Sequence, residues 1–269
     1  MKPSVPRIRP TSVKPSLLLL VPAMLAASLA YGQGESSTPV MTTVVVPIVG
    51  STIGIDNVRW RTDVELRNES GSKATVVVTL PTAADQPTIL LPAIPPGGVV
   101  RFGDIVGQAF NLDMALSPLI VQTEGRRSVT IHATVYGVRG TEALPPQPIP
   151  VSYAPTFFPQ RALQGLSFSD AFRTNIGLAN LSETEVPFTL ALQRVPGRNV
   201  AVAHISLPAS SLWHASIQSV FPLISNGDNF TVIVETGNPE TYVYASVIEN
   251  GTDVARFVSP SIIGVSTIK

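Results

Sequence analysis

The chain has no cysteine among its 269 residues. No disulfide can staple it, and it offers neither a thiol nucleophile nor a thiolate metal site. Histidine is nearly as scarce: His132, His204 and His214 are the only three. No Gly-x-Ser-x-Gly elbow, HExxH helix or EF-hand loop accompanies them. A charge excess is also missing, with 18 basic against 18 acidic residues. A protein that grips phosphates needs a basic face, so nucleic acid is excluded as a partner. After residue 33 no apolar run reaches the roughly 20 residues of a membrane-crossing helix.

One apolar run does occur, at Ser16 to Ala30, behind Lys2, Arg7, Arg9 and Lys14. Ala30 and Gly32 flank Tyr31 and satisfy the small-x-small rule for a cut after Gly32. This layout predicts a secretory signal peptide over residues 1–32 and a secreted, periplasmic or extracellular product. Its removal takes away four basic residues and no acidic ones, leaving 14 basic against 18 acidic, a formal charge of −4. Without disulfides, such a product must be held by its own apolar core, which a 44% hydrophobic composition can supply.

The chain also repeats itself. "WRTDVELRNES" (60–70) lies over "FRTNIGLANLS" (172–182) at a spacing of 112 residues. At the same spacing "ATVVVTL" (74–80) meets "VPFTLAL" (186–192), Pro47 meets Pro159, and Val100, Phe102 and Ile105 meet Leu212, His214 and Ile217. A period this long predicts two domains rather than solenoid turns. The expected units are residues 40–151 and 152–263, joined through a proline-rich connection or a shared strand near 145–156.

Within each unit the periodicity is two. Trp60, Thr62, Val64 and Leu66 share one face and Arg61, Asp63, Glu65 and Arg67 the other, which predicts a half-buried strand. Phe172, Thr174, Ile176 and Leu178 keep the inward set. Asn68 and Asn180 open polar stretches that read as turns. Further short β-branched segments follow, among them "TVVVPIV", "GVVRF", "TFFP", "AVAHISL", "SSLWHA" and "TYVYASVIE". The expected fold is all-β, two tandem immunoglobulin-like antiparallel sandwiches. Alternation breaks at 103–112 and 216–224, where Asp104 and Ser216 are suited to cap short helices.

The run "RTNIGLANLSETEVPFTLAL", then "LPASSLWHASIQSVFP", then "VYASVIENGT" resembles a repeat seen in secreted proteins of environmental bacteria. There a "TGLALVNPG"-like strand precedes an "LPAGG" turn and an "LF" or "FP" helix. The resemblance covers both units and departs from the pattern at Ala209-Ser210, where the Gly-Gly turn would stand. It implies an exported immunoglobulin-like module of unknown function, with no known catalytic site.

These readings predict an exported, non-enzymatic protein for interaction or a structural role at the cell surface. The expected partner is an unidentified protein or glycan, with no catalytic residue, cofactor or metal. A carbohydrate-binding module is the alternative, against which the 6% aromatic content counts. An enzyme with an unrecognised site is the third reading. Trp213 is the candidate partner-binding residue, because its match to Arg101 turns it outward; its other use is to cover the junction between the units. Asp56-Asn57 and Asn226, Asp228 and Asn229 offer oxygens suited to calcium, though such loops serve more simply as turns. Sequons stand at Asn68, Asn180, Asn229 and Asn250.

Overall fold

The computed structural model describes residues 41–54, 57–82, 85–125, 128–154 and 159–263. The leader with its cleavage point, Asp56, Arg126-Arg127 and the "TFF" of 156–158 lie outside those residues. No helix among them is long and apolar enough to cross a membrane.

The fold is all-β, built from antiparallel sheets packed as sandwiches. The first half runs β1 (Met41–Ile53), β2 (Arg59–Asn68), β3 (Val76–Thr79), β4 (Thr88–Leu90), β5 (Val99–Phe102), α1 (Ile105–Phe110), β6 (Ala115–Glu124), β7 (Val129–Arg139), β8 (Glu142–Ala143), β9 (Gln147–Ile149) and β10 (Ser152–Ala154). These strands form one ten-stranded sheet in the order β4-β3-β6-β1-β2-β7-β8, with β5 beside β2, β9 beside β7 and β10 beside β1. β1 lets the sheet fold over: its register slips between Val46 and Val49, and beyond the slip it pairs with β2 as well as β6. Such a bulge bends a strand, so one chain segment serves both layers. Between the layers lies a core containing Val46, Leu66, Val78, Ile94, Ile105 and Leu119.

The second half runs β11 (Gln160–Phe168), β12 (Phe172–Asn180), β13 (Val186–Val195), β14 (Arg198–Leu207), β15 (Ser211–Ser216), α2 (Ile217–Val220), β16 (Gly227–Glu235), β17 (Thr241–Glu249), β18 (Ala255–Val258) and β19 (Ser261–Ile262). Here the layers stay separate, as β14-β13-β16-β11-β19 and β15-β12-β17-β18. Their core includes Phe188 and Phe230, each about 1% exposed. Burying a side chain of that size contributes about 1.5–3 kcal/mol.

The described residues from Met41 to Ile263 nonetheless belong to one compact unit. The proline-rich stretch, expected as a connection or a shared strand, forms strands of the first sheet, with β9 on β7 and β10 on β1. Both short helices form where the alternation breaks. Asp104 accepts from the Gly107 N–H at 3.1 Å and Ser216 from the Ser219 N–H at 3.1 Å, each satisfying a free helical donor.

The letters common to residues 60–70 and 172–182 carry matched roles. Thr62 Oγ1 accepts from the Gly50 N–H at 2.9 Å, and Thr174 Oγ1 accepts from the Ser167 N–H at 3.3 Å. The polar stretches that follow Asn68 and Asn180 are bends, as the sequence suggests, but the two asparagines themselves are fully buried. Each is a clamp. Asn68 Nδ2 donates to the Ser72 and Ile94 carbonyls at 2.7 and 2.9 Å, while its Oδ1 accepts from the N–H and hydroxyl of Ser70. Asn180 Nδ2 reaches the Thr184, Leu207 and Pro208 carbonyls at 2.7, 3.1 and 2.8 Å, and Oδ1 accepts from the N–H and hydroxyl of Ser182.

The constant spacing fails in two places. Gly50 and Ser167 are clasped by the matched threonines, although a spacing of 112 would pair Gly50 with Ala162, five residues earlier. The Pro47–Pro159 match therefore does not hold. At β5 and β15 the slip is one residue. Leu66 stands opposite Val100 and Glu65 opposite Arg101, whereas Leu178 stands opposite Trp213 and Gly177 opposite His214. A one-residue slip turns every side chain to the other face.

Candidate functional site

That slip places Trp213. It occupies the position of Val100, not of Arg101, and packs against the second core as a partly buried ring. His214 takes the outward position of Arg101 instead of the inward one of Phe102. Trp60, which alternation assigns to the core, stands over Gly54 and Gly137 in a cleft at the edge of the first half.

The cleft holds about 330 Å³. Ile48, Trp60, Val135 and Ile149 wall it from the first half; Arg173, His214, Ile248 and Phe257 wall it from the outer face of the β15-β12-β17-β18 sheet. Ala179, Tyr244, Ser246 and Ile248 on that face are buried, whereas Arg101 and His132 on its counterpart in the first half are exposed. Gly177 makes this packing feasible, because the Tyr244 ring crosses it so closely that a Cβ there would lie 2.0 Å from the ring. Tyr244 Oη and His214 Nδ1 share a 2.9 Å hydrogen bond, and Phe257 flanks Tyr244 at 6.2 Å between ring centroids.

Burial lowers the pKa of His214, although one side of the ring stays open to the cleft, and burial pushes the Tyr244 phenol far up. The unfolded imidazole therefore takes a proton more readily than the folded one. Stability should be level above about pH 7, fall as pH drops through about 6.5, and flatten below the folded-state pKa. Urea midpoints between pH 8 and 5 measure this, and His214→Gln should remove the slope. An unchanged slope in the variant would assign it to other groups. Asp63, whose pKa is raised by burial and by Asp104, acts with the opposite sign and only towards the carboxylate range.

At the rim, Asp253 binds two arginines from different halves. Its Oδ1 accepts from Arg173 at 2.7 Å and its Oδ2 pairs with Arg139. Arg173 also donates to Asn250 Oδ1 at 2.8 Å. Asp253 is 8% exposed and has left-handed backbone, φ 57°.

The remaining sequence candidates are scattered. His132 is exposed on β7 opposite Glu65, and His204 is exposed on β14 with Nδ1 3.2 Å from Thr189 Oγ1. Asn57 and Asn229 adopt left-handed backbone, as turn residues do. Among the described residues no three His, Cys, Asp or Glu side chains converge.

A second surface was not singled out from the sequence. β14 is ten residues long and pairs only with β13. Its inner face sets Ala201, Ala203 and Ile205 on the core, and its outer face leaves Val200 and Val202 at 50% and 51% exposure. The corresponding edge of the first half, β4, is a three-residue strand with Pro87 just before it and Pro92 two residues after it. Short strands and prolines blunt an edge; a long Val/Ala strand leaves backbone donors and acceptors open to another strand. Arg198 stands at one end of β14. At the other, Ser206 Oγ donates to Glu185 Oε1 at 2.6 Å. Among the described residues neither Arg198 nor Glu185 has an ion-pair partner.

No family model matches the chain, and none of the curated proteins matches it.

Proposed function

We propose that the protein is exported, is not an enzyme, and acts through protein contact at the cell surface, with β14 as its contact strand and a second copy as the partner. The leader at residues 1–32 supports export. The open edge of β14 is the observation that carries the reading, since an exposed edge adds a strand through main-chain bonds. We read the two halves as products of one duplication, supported by the matched asparagine clamps, threonine clasps and capped helices.

Charge favours a second copy. Antiparallel self-pairing must bring together residues whose N–H and C=O point the same way, so facing residues share parity and the two-fold axis passes through a residue facing itself. The register of β14 shifts at Val200, so the charges are placed by strand end: with the axis at Val202, the Arg198 end of one copy lies beside the Ser206 end of the other, where Glu185 is held. Two unmatched charges on each copy then find each other. A glycan-binding face has less support, because Trp213 lies on the second core rather than in a row of open rings.

The test starts from protein recovered from the medium or periplasm of expressing cells. Its N-terminal sequence should begin at Gln33, and intact residues 1–32 would overturn export. Sedimentation over a range of concentrations should show a monomer–dimer equilibrium. Arg198→Glu or Glu185→Arg should each weaken it about tenfold, since each reverses two exposed pairs per dimer. The double exchange should restore it. A monomer at all concentrations, or no rescue, would sink the self-pairing.

A further inference from the structure

We infer that the end of the second sandwich is a binding site for a small hydrophobic carboxylate, with Arg161 as its receptor. Arg161 lies on β11 with the inward parity of Leu163, stands opposite Val234, and is 6% exposed. Its Nη1 donates to the Thr241 carbonyl at 2.8 Å and its Nη2 to Thr241 Oγ1 at 3.3 Å. A guanidinium has five N–H donors, so donors remain beyond those that Thr241 engages. Among the described residues no carboxylate lies within ion-pair distance of it.

A buried cation without an anion is unusual, because interiors pair their charges. Tyr242 is not the missing anion. Burial pushes its phenol upward, more than Arg161 draws it down, so it stays neutral. Arg161 itself is lowered by burial, yet an arginine keeps its proton in proteins. The uncompensated charge borders a cavity of about 260 Å³ that opens between the halves, lined by Pro47, Pro150, Tyr242, Phe257, Ser259 and Ser261.

These features define the ligand class. One cation selects a monoanion. The planar fork of the guanidinium matches a carboxylate. The proline and phenylalanine wall suits a compact apolar body, and Ser259 and Ser261 add hydroxyls. A free organic acid and the terminal carboxylate of a peptide share this chemistry.

Thermal unfolding of the exported protein with benzoate, against uncharged benzamide, tests the site. Benzoate should raise the midpoint in a saturable way, by about 3–5 °C at ten times its dissociation constant. Benzamide should leave it unchanged. Arg161→Met should abolish the response and still melt at or above the unliganded wild-type temperature, because it fills the volume without a charge to desolvate. Acetyl-phenylalanine as acid and as amide separates the sources: an acid that displaces benzoate extends the site to peptide termini, and one that does not restricts it to small acids. Equal shifts with benzamide, a response surviving in the methionine variant, or no shift with benzoate would each overturn the assignment.

Discussion

Asn180→Ala should lower the unfolding free energy by about 3–5 kcal/mol, the largest loss expected from a single truncation in this fold. The amide serves three carbonyls and accepts from one N–H and one hydroxyl while fully buried. Each buried group left without a partner costs about 1–3 kcal/mol, and water entering the vacated space recovers part of the sum. Alanine cannot replace either function. Aspartate separates them: Asn180→Asp keeps the acceptor for Ser182 but sets a carboxylate against three carbonyls, so it should be at least as damaging. Asn68→Ala should follow the same course, somewhat more mildly, since its amide serves two carbonyls. Chemical denaturation of the three variants is the check, and a loss below about 1 kcal/mol at Asn180 would show that the loops close without the clamp.

Asp253→Ala is expected to cost about 2–4 kcal/mol. Removing one partner of a buried pair strands the others, at about 3–5 kcal/mol in a closed interior. The value here is lower because the Arg139 and Arg173 side chains keep 40% and 24% of their surface in water. The left-handed backbone at Asp253 adds its own penalty for alanine, of about 1 kcal/mol. Asparagine tolerates that backbone and keeps an acceptor, so Asp253→Asn isolates the charge and should cost less. The carboxylate joins β7 of one half to β12 of the other, so loss of the pair should also weaken the coupling between halves. Two unfolding transitions in place of one would show this in the alanine variant. A single transition at the wild-type midpoint would mean that the ion pairs are incidental.

The sequence revealed the parts of the fold whose physics is local. Strict alternation over Trp60–Arg67 predicts β2, and its burial follows the pattern from Thr62 onward. Asp104 and Ser216 cap the helices expected of them. β11 was missed because Gly165, at φ 68°, and two register shifts break its alternation. The misplacement of Trp213 has a different origin. The second half gains one residue before β15 and has no counterpart of Gly103 before the helix, so Ile105 and Ile217 return to the common spacing. An ungapped alignment conceals two compensating shifts, and only cross-strand pairing exposes them. Arg161 and the β14 edge were illegible for another reason: a missing counterion and a missing neighbouring strand are properties of the assembled sandwich, not of any residue.

The buried clamps also bear on where the chain can be made. Asn68-Glu69-Ser70 and Asn180-Leu181-Ser182 are acceptor triplets for oligosaccharyl transfer, and the clamp uses both the asparagine and the serine of each. In a secretory pathway that modifies nascent chains, a sugar attached before folding would occupy the amide nitrogen that must reach the carbonyls across the loop. The clamp and the sugar cannot coexist at one nitrogen. The fold is therefore suited to synthesis that leaves asparagine bare, and production in a glycosylating host sets co-translational modification against closure of both sandwiches.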